Sequence, residues 1–246
     1  AVLKVVDIVN KITIPTENKG INDFYESENL IYIATNYGIS IYDLDALEFG
    51  DTYFIGSDGS QIEVRQVALT NNDIYAATNF GLKKASIDNQ NLIDFQFWET
   101  SLNGDFTALS IIQESLYLAV TDNQLYKLND GELQQVLNFS ETILDLNTNS
   151  SNFSVTTSSA VRYYQYDLTI IDTYNSPTEE DVNFTTSHFF NDNIYFGTEA
   201  SGLLKNYDNN QSTYVKIYPD GPLLNNSFSL HFAYENLWVT FGDYDQ

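Results

Sequence analysis

The chain repeats itself about every forty residues, and that period limits the fold more than any bulk property. Six short segments share one pattern: Ile31-Tyr32-Ile33-Ala34-Thr35, Ile74-Tyr75-Ala76-Ala77-Thr78, Leu116 to Thr121, Phe153 to Thr157, Ile194-Tyr195-Phe196-Gly197-Thr198 and Leu237 to Thr240. Their first residues lie 43, 42, 37, 41 and 43 positions apart. Such a period, built on short strands, predicts propeller blades of four strands each. Runs this apolar suit strands buried on both faces, between neighbouring blades.

Each unit divides in the same way. A strand precedes the repeated segment, as in Val64 to Leu69, Thr107 to Ile112 and Asn183 to Phe190. A second turn follows it: Asn36-Tyr37-Gly38, Asn79-Phe80-Gly81, Asp122-Asn123-Gln124, Ser158-Ser159-Ala160 and Glu199 to Gly202. A third strand comes next, and a fourth closes the blade, as in Thr52 to Ile55, Phe95 to Trp98 and Thr213 to Tyr218. Aromatic residues make up 15% of the chain, which favours strands, and amphipathic helix periods are nearly absent. The fold class is therefore all-β, a β-propeller of four-stranded blades with about six blade repeats in residues 1–246. At the ends, Val2 to Val9 and Lys11 to Ile14 read as outer strands, while Leu237 to Thr240 read as an inner one. The chain is thus a single propeller domain or fragment that starts and ends within a blade. Either the ends complete each other in a six-bladed ring, or the repeats belong to a seven-bladed one, which is the favoured expectation.

Charge and missing residue types narrow the function. Asp and Glu number 34 against 10 Lys and Arg, a formal net charge of −24. That balance excludes nucleic acid and bare anionic lipid, whose binding needs clustered cations. There is no Cys, hence no disulfide, thiolate metal site or Cys nucleophile. There is no Met, so the chain is read as processed or excised. No apolar run reaches the length of a membrane-spanning helix. The two histidines, His188 and His231, occupy comparable first-strand positions of neighbouring blades, which argues against one shared metal site. No Gly-x-Ser-x-Gly elbow is present. No catalytic residue and no metal ligand is assigned, and the chain is not expected to be an enzyme. No cofactor is expected beyond a structural Ca²⁺ at an Asp/Asn-rich turn, where turn geometry alone also accounts for the composition.

The binding candidates come from the turns. In a propeller, the turns between second and third strands share a face with the links to the next blade. Asn36, Tyr37, Asn79, Phe80, Asp122, Asn123 and Glu199 gather there, beside links such as Ser57-Asp58-Gly59 and Pro219-Asp220-Gly221. Varied loops on a rigid ring suit recognition, and exposed aromatics suit sugar or peptide. Tyr37 and Phe80 hold the same repeat position and are both expected to be partly exposed. Lys83, Lys84, Lys127, Arg162 and Lys205 all fall in third strands. They are read as cross-strand partners of acidic neighbours, or else as a basic contact strip.

The run Ile31 to Ile39 resembles the two-component-regulator propeller repeats. The segments Phe49-Gly50-Asp51-Thr52-Tyr53-Phe54-Ile55-Gly56 and Leu237 to Gln246 are similar to the first propeller of the attachment-complex proteins of the bacterial type IX secretion system. That resemblance implies an outer-membrane, cell-surface location after secretion across the inner membrane. It implies a PorU-like sortase and outer-membrane barrel partners, and binding of an anionic lipopolysaccharide glycan that the sortase attaches to secreted proteins. It carries over no catalytic motif. The expected function is a non-catalytic scaffold or binding propeller of that complex. The alternative is the extracellular oligosaccharide-sensing propeller of a hybrid two-component histidine kinase, with a polysaccharide-active enzyme as a third reading.

Overall fold

The computed structural model describes residues 14, 18–177, 182–190, 193–206, 213–217, 227–233 and 236–241, the last two segments as backbone only. The first blade consists of β1 (Ile21–Ser27), β2 (Leu30–Thr35), β3 (Gly38–Asp43) and β4 (Glu48–Tyr53). The second has β5 (Gln66–Leu69), β6 (Asp73–Thr78), β7 (Gly81–Ser86) and β8 (Glu99–Leu102). The third has β9 (Phe106–Ile112), β10 (Ser115–Val120), β11 (Gln124–Asn129) and β12 (Glu132–Asn138). The fourth has β13 (Asp145–Thr148), β14 (Asn152–Thr156), β15 (Ala160–Gln165) and β16 (Ile170–Asn175). The fifth has β17 (Phe184–Phe190), β18 (Asn193–Thr198), β19 (Leu203–Asn206) and β20 (Tyr214–Ile217), and β21 (Ser227–Ala233) pairs with β22 (Asn236–Phe241).

The repeated segments are the second strands of these sheets. All-β propeller architecture is therefore what the sequence forms, but the described residues hold five four-stranded blades and one strand pair. That matches neither the six- nor the seven-bladed expectation. Whether residues 2–14 pair with the 237–241 strand, as a closed six-bladed ring requires, falls outside the described residues, since 1–13 are not among them.

Hydrophobic burial holds the blades face to face. Alternate residues of β10 point to opposite neighbours. Leu116 and Leu118 pack with Ala68, Ala77 and Leu82 of the second blade. Tyr117 and Ala119 pack with Phe153, Val155 and Tyr164 of the fourth. Two further cores fill the interface of blades one and two, around Ile39, Ile74 and Trp98, and that of blades four and five, around Phe184 and Phe196. Each blade thus needs its neighbours to bury its faces, as repeat architectures do.

The Thr that ends the second strand explains the recurrent Thr-Asn-x-Gly. Thr35 Oγ1 donates to Gly38 O at 2.8 Å and accepts from Tyr37 N; Thr78 Oγ1 does the same with Gly81 O, at 2.6 Å, and Phe80 N. The hydroxyl replaces backbone partners that a tight turn leaves open. Gly81 has φ +110°, and a Cβ there would lie 2.6 Å from Leu102 O, so the fourth strand backs directly onto it.

Two fourth-strand assignments are corrected: that of the first blade is Glu48–Tyr53 rather than Thr52 to Ile55, and that of the second moves as well. Phe95–Phe97 form a short 3₁₀ turn, and the fourth strand of that blade is β8. The Asp94 side chain accepts from Gln96 N and caps the turn, while Trp98 Nε1 donates to Leu92 O at 3.0 Å. Local side-chain bonds override the β preference of the aromatic run.

Phe106 is fully buried between the second and third blades. Phe106→Ala is expected to cost about 3–5 kcal/mol in urea unfolding. Thr78→Ala, which removes the turn bridge, should cost about 1 kcal/mol.

Candidate functional site

The second-to-third-strand turns and the interblade links do lie together on one face. Asn36 N donates to Gly20 O, Phe139 N to Asn123 O, and Glu199 N to Asn183 O. The predicted residues divide there by what contacts them. Asn36, Asn79, Asp122 and Glu199 are exposed. Asn123, at φ +67°, is tied to the next link through Thr142 Oγ1, and Glu199 Oε2 accepts from Asn183 Nδ2. Asp122 Oδ2 accepts from Tyr126 OH at 2.6 Å. These turns are thus partly occupied in joining blades.

Tyr37 and Phe80 share a repeat position but not an environment. Tyr37 is 1% exposed, packs with Ile14 and Phe54, and its OH lies 3.2 Å from Ser40 Oγ. This overturns the expectation that it is partly exposed. Phe80 is 63% exposed. Its ring stands at the rim of a cleft of about 360 Å³, with Gly56, Ser57, Ser60, Ile62, Lys83 and Thr100.

The third-strand cations do not form a strip. Lys84, Lys127 and Lys205 sit opposite Tyr75, Tyr117 and Tyr195, with each ammonium 5.8–5.9 Å from the ring centroid. Arg162 lies over Phe139 at 5.6 Å. Lys84 also pairs with Asp73 at 3.2 Å. The expected acidic pairing holds for Lys84, and aromatic faces take its place at Lys127, Arg162 and Lys205.

The sequence reading missed a second concavity, on the ring axis. The first strands of consecutive blades, β1, β5, β9, β13 and β17, pack side by side. They surround a depression of about 410 Å³ lined by Asp23, Phe24, Glu26, Gln66, Ser110, Asn147 and His188, among others. It opens toward the first-to-second-strand turns, the face opposite the predicted one. Its floor is polar. Gln66 Nε2 donates to Asp145 Oδ1 at 2.7 Å and to Asp23 Oδ2 at 3.3 Å. Asp145 Oδ2 accepts from Thr186 Oγ1, Asn147 Nδ2 and Ser187 N at 2.6, 2.7 and 3.1 Å. Burial raises the Asp145 pKa, and these donors oppose the rise. Asp23 is pushed up to about 8, first by burial and then by the Asp145 charge beside it. The two carboxyl groups thus share one carboxamide, Gln66, and Asp145 has the larger set of donors. Among the described residues, no group of three His, Asp or Glu side chains is placed to hold a metal ion. No described helix is long and apolar enough to cross a membrane.

Residues 1–99, which include the first blade and the second as far as Glu99, match the family model of the PorZ N-terminal β-propeller domain of the type IX secretion system. The likeness is to PorZ. The structure is similar to PorZ of Porphyromonas gingivalis, described as an essential bacterial surface component of that system, at 19% identity and a TM-score of 0.60. That match covers 90% of this chain and 30% of PorZ, so the chain spans about a third of PorZ's length. The extracellular domain of a hybrid two-component system of B. thetaiotaomicron is similar at 16% identity and a TM-score of 0.57, over 82% of this chain and 28% of that one. The computationally designed Ika8 protein is similar at 11% identity and a TM-score of 0.53, over 90% of this chain and 80% of that one. At such identities these structures share the fold with this chain. No curated protein matches the sequence.

The axial pair gives a pH signature. Asp23 has a folded pKa raised from 3.8 to about 8. Its contribution to stability is therefore fully present below about pH 4 and lost as pH rises through 8. Asp23→Asn should gain stability relative to the parent chain across that window, by about 1–3 kcal/mol at its upper end, since solvent screens part of the shift. Urea unfolding at pH 4, 6 and 8.5 checks this; a difference independent of pH contradicts it.

Proposed function

We propose that this propeller is a non-catalytic binding scaffold at the bacterial cell surface, working in the type IX attachment complex. In that role it assists a PorU-like sortase in attaching secreted proteins to a lipopolysaccharide glycan. The observation that carries the reading is the match of residues 1–99 to the PorZ N-terminal propeller. The shape of the site supports it: two solvent-open concavities, lined by aromatic, amide and hydroxyl groups, suit binding. The net charge of −24 suits a surface module whose protein partners present basic patches.

The test uses the complete protein carrying an affinity tag, recovered from outer-membrane extracts of its own bacterium. The sortase and barrel proteins should co-purify with it, and deletion of its gene should leave secreted cargo unattached to the surface. Cargo that stays attached in the deletion strain, with no sortase in the eluate, contradicts the reading. The second reading is a sugar-sensing propeller of a hybrid two-component kinase, favoured by the structural likeness to that extracellular domain. It predicts that the deletion abolishes a transcriptional response to one oligosaccharide and leaves cargo attachment intact.

A further inference from the structure

Lys83 stands apart from the other third-strand cations. It is 7% exposed, yet its Nζ makes one hydrogen bond, to Thr100 Oγ1 at 2.8 Å, and has no ion-pair partner among the described residues. Burial lowers its pKa. This partly buried ammonium, in a chain with a net charge of −24, meets one neutral hydroxyl and no described carboxylate. It lines the cleft between the link that leaves the first blade and the inner face of the second. Ile62 and Gly56 form the buried wall, and Ser57, Ser60 and Thr100 bring hydroxyls to the exposed rim. Phe80, largely bare, completes the rim. The cleft exists because the link makes a tight turn at Ser57–Gly59, closed by Gly59 N to Gly56 O and Gly56 N to Ser60 O. In the first blade the equivalent ring, Tyr37, is covered.

We propose that this cleft binds a carboxylated sugar, a hexuronate unit of an acidic polysaccharide. Phe80 stacks on the apolar face of the ring, the Lys83 ammonium takes its carboxylate, and the rim hydroxyls of Ser57, Ser60 and Thr100 meet its hydroxyl groups. One ammonium with no guanidinium beside it matches a single negative charge better than a phosphate, which is usually held by a fork of donors. Hydroxyls arranged round one bare aromatic ring match a sugar better than a peptide end, and the volume fits about one or two sugar units. The inference rests on the reading of this propeller as a surface binding module, and adds its subsite and sugar class.

The test is calorimetric titration of the whole chain with trigalacturonate at low salt, with a neutral trisaccharide and a short peptide bearing a free C-terminal carboxylate as comparators. Trigalacturonate should bind, and the two comparators about tenfold more weakly or not at all. Lys83→Gln should weaken the uronate about tenfold and Lys83→Arg only slightly. Phe80→Ala should weaken it about fivefold while the melting temperature stays unchanged. Absence of uronate binding at millimolar concentration, parent-like affinity in Lys83→Gln, or a peptide that binds as tightly as the uronate each overturns the proposal. Co-purification of the sortase with the Lys83→Gln protein separates these failures from failure of the scaffold reading.

Discussion

The side chain of Gln66 reaches three blades besides its own. Its Nε2 donates to Asp23 of the first and Asp145 of the fourth, and its Oε1 accepts from Leu109 N of the third and Leu146 N of the fourth. The reason lies in propeller geometry. The first strand of every blade is an edge strand, and its free edge faces the axis. Edge amides and carbonyls need partners, and a neighbouring strand cannot supply them at the centre of a ring. Side chains supply them instead. Asn22 Nδ2 donates to Val64 O, Arg65 Nη1 to Phe106 O, and Asn147 Nδ2 to Ser187 O, in each case from one blade to the next. Apolar contact glues the faces of the blades, and this polar hub sets their arrangement about the axis.

The hub also explains why the two concavities differ. Asp145 and Asp23 meet Gln66 beneath the axial depression, which therefore ends on a hydrogen-bonded floor and has the carboxyl groups of Asp23 and Glu26 in its lining. A cation or a polar group suits it better than an acidic glycan does. The interblade cleft has a different lining, and there the chain leaves one ammonium without an acidic partner among the described residues. A strongly acidic protein thereby keeps a place for an anion, at an ammonium that none of its described carboxylates pairs with.

The repeat was legible because it is written in apolar residues. Ile74, Leu116 and Ile194 are buried in second strands, as runs apolar on both faces required, while the equivalent Ile31 is half-buried; the Thr and Gly of the turns follow from hydrogen bonding and φ. The hub was not legible. Asp23, Gln66 and Asp145 sit in ordinary strand positions, and only their convergence across 43 and 79 residues of sequence gives them a role. Tyr37 and Phe80 were indistinguishable in the repeat, since burial depends on whether another segment covers the ring. Lys83 looked like its neighbour Lys84. The register of β7 sends Lys84 to Tyr75 and Asp73, and Lys83 to the face shared with the first blade.

Amide hydrogen exchange tests the hub most directly. Gln66→Met keeps the side-chain volume and removes both polar groups. If one carboxamide ties the first strands together, the amides of Leu109 and Leu146, which belong to different blades, should lose protection together in the variant. Ser187 N, held through Asp145, should follow them. Protection at Leu109 and Leu146 equal to that of the parent chain would show that the axis is held by apolar packing alone, and would contradict the account.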